Sequence, residues 1–236
     1  MHFLHVGKTG GTAVKSALKP YQVTSRHALV LHGHRFTLRE MPRGDKAIFC
    51  LRNPVSRFIS GFYSRQREGK PRHFVRWTLD EELAFAQFET PNQLAVALSS
   101  AIDAERLRAE SAMRSIGHVR NLYSQWFESE KYLLSRASEI FFIGFQETLA
   151  EDFETLKTKL GVPPTVKLPD DDIGAHRNPE HLDKKLDEQA IENLNRWYAE
   201  DFRFFRLCQE IRGRVLKEGT FEGNLTAAAR ELFFPT

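Results

Sequence analysis

Apolar positions divide this chain into runs that are apolar throughout and stretches that are apolar on one side only. His2-Phe3-Leu4-His5-Val6 is a short run of β character closed by a Gly-rich turn. Thr12 to Leu18 predicts a helix, which Pro20 stops. Ala47-Ile48-Phe49-Cys50-Leu51 and Ile140-Phe141-Phe142-Ile143-Gly144-Phe145 are uninterrupted apolar runs, the pattern of strands covered on both faces. After the first of these, Asn53-Pro54 supplies an N-cap and a proline for the first helical position, and the helix predicted to follow carries Phe58, Ile59, Phe62 and Tyr63 on one side. Thr148 to Leu160 reads as an amphipathic helix ended by Gly161, with Pro163-Pro164 preventing continuation. Leu186 to Cys208 reads as one long helix, with Ile191, Leu194, Trp197, Tyr198, Phe202 and Phe205 near helical spacing. Between roughly Asp80 and Arg136 the pattern predicts several helices and no strand. Strands alternating with helices predict an α/β fold on a parallel sheet.

Length narrows this further. A chain of 236 residues fits one domain, 1–236, with a helical insertion at about 67–138. The net charge of +3 is too small to imply nucleic-acid binding, while a pI near 8.9 suits a protein that handles anionic small molecules. Two cysteines, Cys50 in a buried strand and Cys208 on a helix, do not make a disulfide framework and read as reduced packing residues. No apolar run approaches the roughly 20 residues of a membrane span, and no signal peptide precedes the first strand. The expected location is therefore cytoplasmic, although a luminal catalytic domain separated from its membrane anchor would read the same. Asn224-Leu225-Thr226 matches a glycosylation triplet of the kind that arises often by chance.

Gly7-Lys8-Thr9-Gly10-Gly11-Thr12 joins the first strand to a helix. A turn of this composition points backbone N–H groups at one spot, and the helix dipole, the Lys8 charge and the hydroxyls of Thr9 and Thr12 add to the field. It suits a phosphate or phosphosulfate; the plain alternative is a tight turn with a solvated lysine. A Walker A reading fits poorly, because its first glycine would fall on His2. The next strand also ends in Arg52, where a triphosphatase commonly wants an aspartate for Mg²⁺ on some strand. Arg52 offers a planar fork of donors to an anion, and Ser60, eight residues on, adds a hydroxyl. Arg57 suits an ion pair as well as a ligand contact. His32-Gly33-His34 lies between the two loops, and an imidazole suits proton abstraction near neutral pH; a structural pair or an adventitious metal site is the bland reading.

His5-Val6-Gly7-Lys8-Thr9-Gly10-Gly11-Thr12 resembles the 5′-phosphosulfate loop of carbohydrate sulfotransferases that use 3′-phosphoadenosine 5′-phosphosulfate (PAPS). That family often has proline where this chain has Gly7. The stretch from Leu51 through Ser60 resembles the family's 3′-phosphate motif, an Arg followed eight residues later by a Ser. The His-Gly-His triplet is similar to that of the heparan sulfate and uronyl 2-O-sulfotransferases, and Phe141 to Phe153 and His176-Arg177-Asn178 also look like that group. The resemblance covers about residues 3–66 and 140–208. It implies sulfuryl transfer from PAPS to an acceptor hydroxyl, with Lys8 against the leaving oxygen, His32 as base and His34 assisting. It assigns Gly7, Lys8, Thr9, Gly10, Gly11, Thr12, Arg52, Ser60 and Arg177 to the cofactor, with His176 as a further candidate, and it requires no metal. Glu40 is a rival base, since other carbohydrate sulfotransferases use a Glu. The middle segment is expected to build the acceptor site. Its basic stretch Arg65, Arg67, Lys70, Arg72, His73 and Arg76 suits an acidic glycan or reads as a solvated face, and Arg120-Asn121-Leu122-Tyr123 is a further candidate. The competing functions are an ATP/Mg kinase with a degenerate loop and a non-catalytic nucleotide- or glycan-binding protein. The acceptor's identity and the oligomeric state are not legible.

Overall fold

A computed structural model describes residues 1–24, 27–170, 178–179 and 181–218, of which 214–218 are described as backbone helix only. Four parallel strands form the central sheet: β1 (His2–Leu4), β2 (Val30–Leu31), β3 (Ala47–Leu51) and β4 (Ile140–Phe145), in the order β2-β1-β3-β4. The helices are α1 (Gly11–Leu18), α2 (Pro54–Gln66), α3 (Leu79–Phe85), α4 (Pro91–Ala97), α5 (Asp103–Ser115), α6 (Ser124–Phe127), α7 (Glu130–Ser135), α8 (Leu149–Leu160), α9 (Glu188–Trp197) and α10 (Ala199–Glu218). The predicted α/β class, a central parallel sheet flanked by helices, is the class observed.

Alternation along the strands splits the core in two. Leu4, Phe49, Leu51, Ile143 and Phe145 face one side with Trp126, Phe127 and Phe204. Phe3, Ile48, Cys50 and Phe142 face the other, against Val14 of α1 and Phe153 and Leu156 of α8. Both faces are covered, which is why β3 and β4 read as continuous apolar runs. Cys50 and Cys208 are free and buried. A third cluster, built on Phe58, Phe62, Phe85, Leu94, Met113 and Leu194, joins α2 to helices α3–α5 and α9.

The strand order places the functional loops. From β1 the chain runs through α1 to β2 on one side, and after β3 it eventually reaches β4 on the other. The loops leaving β1 and β3 therefore part in opposite directions and open a crevice at their carboxyl ends, the place where open α/β sheets bind ligands.

Two expectations change. The stretch Leu186–Cys208 is not one helix: α9 ends at Trp197 and α10 begins at Ala199. At Tyr198 the backbone leaves helical geometry (φ −99, ψ 26), and its hydroxyl donates to Val119 O at 2.8 Å. Apolar spacing continues across the break, so periodicity alone does not reveal it. The two-residue β2 was too short to register as a run.

Candidate active site

The Gly-rich loop turns sharply out of β1. Lys8 holds φ +67 and Gly10, the N-cap of α1, holds φ +82. No side chain caps α1, so its first amides remain available to an anion. A Cβ on Gly10 would stand 2.6 Å from Leu149 Cδ2, and one on Gly11 would stand 2.6 Å from His5 Cδ2. Thr9 is buried and donates its hydroxyl to Val6 O at 3.0 Å, so that hydrogen closes the loop rather than facing a ligand. Gly7 also acts through its backbone: its carbonyl accepts from Arg57 Nε at 3.1 Å.

Arg57 is thereby settled as a structural residue. Buried in α2, it donates from Nη1 to Asp201 Oδ2 at 3.1 Å and from Nη2 to Asn121 O at 2.7 Å, and it lies over the rings of Tyr123 and Trp126. Asp201 also accepts from Tyr123 N at 2.8 Å. One guanidinium thus ties the loop after β1 to α10 and to the segment leading into α6.

A cavity of about 1040 Å³ opens beside these loops. Lys8, Gly10, Gly11, Thr12, Arg52, Ser60 and His34 line it, together with Leu149 and Gln146 after β4. The two predicted anion loops meet here. Arg52 is oriented by donation from Nε to Ser56 Oγ at 2.9 Å, while its backbone N–H donates to Tyr123 Oη at 3.1 Å. Asn53 caps α2 by accepting from Val55 N and Ser56 N. The Lys8 ammonium is buried and, among the described residues, has no hydrogen-bond partner. Burial, then the charges of Arg52 and Arg67, push its pKa from 10.5 down to about 7. A second buried donor, Arg67 Nη1, also has no partner among the described residues. A buried ammonium under the charge of two guanidinium groups, with no carboxylate paired to it among the described residues, is an arrangement that an anion would compensate.

The two histidines of the triplet part company. His34 lines the cavity and donates from Nδ1 to His5 O at 3.2 Å, since a carbonyl can only accept. In the neutral ring Nε2 then carries the lone pair. Burial of the ring, and more weakly Lys15 and Lys8, hold its pKa below 6.5 against the raising effect of the His5 carbonyl. His32 is not among the cavity-lining residues. Its Nε2 pairs with His2 Nδ1 at 2.8 Å, His2 Nε2 donates to Asp45 Oδ2 at 2.8 Å, and Phe36 stacks on its ring at 3.4 Å. Its carbonyl accepts from Lys15 Nζ at 2.5 Å. Glu40, the rival carboxylate, accepts from Thr37 N and Oγ1 and closes a local turn.

Three residues at or beside the cavity had been given no role from the sequence. His5 packs its ring 3.8 Å from that of His34, and burial, followed by His34 and Lys15, pushes its pKa down to about 2. Lys15 lies between His5 Nδ1 and the His32 carbonyl. His118, just beyond α5, lines the cavity 6.5 Å from His34. Only His5 carried a signal, its place directly before the Gly-rich turn. Arg177 and His176 lie outside the described residues.

Much of the remaining lining is cationic, with Arg35, Arg72, Arg76, Arg120 and Lys184, and His73 also lines the cavity. Among the described lining residues Glu81 is the sole carboxylate, and Arg65 neutralises it through two bonds of 2.7 Å. Arg65 is therefore structural, and Arg67 is partly engaged by Asn178 Oδ1 at 3.1 Å. Of the stretch 120–123, Arg120 and Asn121 reach the cavity, whereas Tyr123 is core and hydrogen-bonds the backbone of Arg52.

The sequence model described as the sulfotransferase family matches residues 1–207. The chain belongs to the sulfotransferase family. No curated protein and no solved structure matches it. Family membership makes it a transferase that delivers a sulfuryl group to an acceptor, and the cavity at the β1/β3 crevice is its candidate active site.

Proposed function

We propose that this sulfotransferase moves the sulfuryl group of PAPS to a hydroxyl of an anionic carbohydrate, with His34 as the base. The observation that carries the proposal is the buried, unpartnered Lys8 ammonium beside Arg52, with a neutral imidazole on the same cavity wall. PAPS, when bound, supplies a sulfuryl group on a phosphate leaving group together with a second, 3′-phosphate.

The residues fit those two anions. Lys8 and the amides opening α1 would hold the 5′-phosphosulfate, and Arg52 with Ser60 the 3′-phosphate. Burial makes Lys8 worth more than a surface lysine, because little water competes with the anion. His34 Nε2 would take the proton of the attacking hydroxyl. The sequence pointed first to His32, but its Nε2 is occupied by His2 and His34 is the histidine of the triplet that lines the cavity. The cationic wall of Arg35, Arg72, Arg76, Arg120 and Lys184 supports an acidic acceptor, in keeping with the resemblance to uronyl 2-O-sulfotransferases.

Calorimetry with 3′-phosphoadenosine 5′-phosphate (PAP) and ATP, followed by incubation with labelled PAPS and a panel of acidic glycans, neutral glycans and small alcohols, tests the reading. Tight PAP binding, weak ATP binding and label on acidic glycans are expected. Preferred ATP binding would overturn the donor, and label confined to neutral acceptors would overturn the acceptor class.

A further inference from the structure

His118 holds φ +65 in the left-handed region, a conformation that only a few per cent of non-glycine residues adopt. Such strain persists only where the surroundings enforce it, and here they do so from both sides. Gly117 N donates to Glu81 Oε1 at 2.9 Å, and the Val119 carbonyl accepts from Tyr198 Oη at 2.8 Å. Helix α2 makes room opposite with Gly61, where a Cβ would stand 3.1 Å from His118 Cβ.

The ring held in this way faces the site rather than a hydrogen-bonding neighbour. It lines the cavity, and among the described residues neither of its nitrogens has a hydrogen-bond partner. Its Nδ1 would lie 3.5 Å from a Cβ on Gly7, which places it against the start of the anion loop. On its other side stands His34, 6.5 Å between ring centres. Burial, then Lys8 and His34, hold the ring neutral with a pKa of about 3. A neutral imidazole retains one N–H donor. Among the described cavity-lining residues, Lys8 is the only other non-glycine with a left-handed backbone, and it lies close enough to be the largest charge acting on His118.

We propose that His118 is a catalytic residue that donates a hydrogen bond to the oxygens of the transferring sulfuryl group, between Lys8 and His34. The proposal rests on the PAPS reading above. In the transfer an S–O bond forms to the acceptor oxygen as the S–O bond to the donor phosphate breaks. The acceptor proton passes to His34 Nε2, and the electron pair departs on the phosphate oxygen beside Lys8. His118 neither gains nor loses a proton; its N–H meets charge on the oxygens that belong to neither partner.

His118→Gly removes the ring and suits a left-handed backbone, so the fold is retained; His118→Asn keeps an amide donor and tolerates the same backbone. PAP and PAPS differ by the sulfuryl group, so the ratio of their affinities, read by calorimetry without turnover, isolates the contact. In His118→Gly the PAPS preference over PAP is expected to fall about tenfold and kcat about 100-fold, as for loss of one preorganised donor. PAP affinity should hold, and His118→Asn should recover part of both losses. An unchanged PAPS-to-PAP ratio in His118→Gly, or equal losses in the Gly and Asn variants, would overturn the donor role while leaving the PAPS reading intact. Wild-type protein that binds neither PAP nor PAPS would overturn both.

Discussion

Replacing Lys8 with methionine should make the free protein more stable and remove its anion site. The wild-type ammonium falls from 10.5 to about 7 on folding, chiefly through burial. At about 1.4 kcal/mol per pH unit this is on the order of 5 kcal/mol set against the charged form. Below pH 7 both folded and unfolded chains carry the proton and the cost is felt in full. Between pH 7 and 10.5 the unfolded chain holds more protons than the native one, so wild-type stability rises with pH through this window. The methionine of K8M does not titrate and fills the same space. Urea unfolding of both proteins from about pH 6 to 10 should therefore show K8M ahead by up to about 5 kcal/mol at the acid end, its lead shrinking as pH rises. A ligand anion should reverse the cost, with wild type taking up more of a proton per PAP at about pH 8 than at about pH 6. K8M should take up none and bind weakly. A variant that is less stable than wild type at the acid end, or a lead that does not change with pH, would refute the argument that the lysine is buried without a partner.

Other substitutions probe the frame and the base. Arg57→Met should cost roughly 3–5 kcal/mol in denaturant unfolding, because it strands the Asp201 carboxylate and the Gly7 and Asn121 carbonyls; a loss below about 1 kcal/mol would mean the frame does not need it. At saturating donor, kcat should be flat at neutral pH and fall on the acid side with a midpoint below 6.5, as His34 protonates; a fall on the alkaline side instead would exclude a neutral imidazole base. His34→Gln should lower kcat by about 100- to 10,000-fold and His32→Gln far less; the reverse order would return the base to His32. Gly61→Ala should crowd His118, 3.1 Å away, and reduce kcat at unchanged PAP affinity; normal turnover would show the His118 backbone free to move.

Much of the frame was legible because the local chemistry was unambiguous. β3 and β4 were read residue for residue, since strands covered on both faces are apolar throughout. The start of α2 followed from Asn53-Pro54 and the end of α8 from Gly161, where only caps were needed. The break at Tyr198 was not legible, because apolar spacing continues across it and the partner of its hydroxyl lies 79 positions away. Nor was β2, a strand of two residues that exists by pairing with β1.

The Gly-rich loop and the Arg52–Ser60 pair were legible because each is a short local pattern, a strand-to-helix turn and an eight-residue spacing into α2. Sequence by itself thus determined a parallel α/β protein with two strand-to-helix loops that suit anions and a His-Gly-His between them. Tertiary structure decided which residues meet at the crevice. It turned His34 to the cavity and His32 to His2, because residues two apart in a loop need not share a face. It placed Arg57 and Arg65 in the frame by surrounding them with acceptors. It buried the Lys8 ammonium and brought His118 near it from beyond α5, since burial and contact between distant segments arise only once the sheet has closed against its helices.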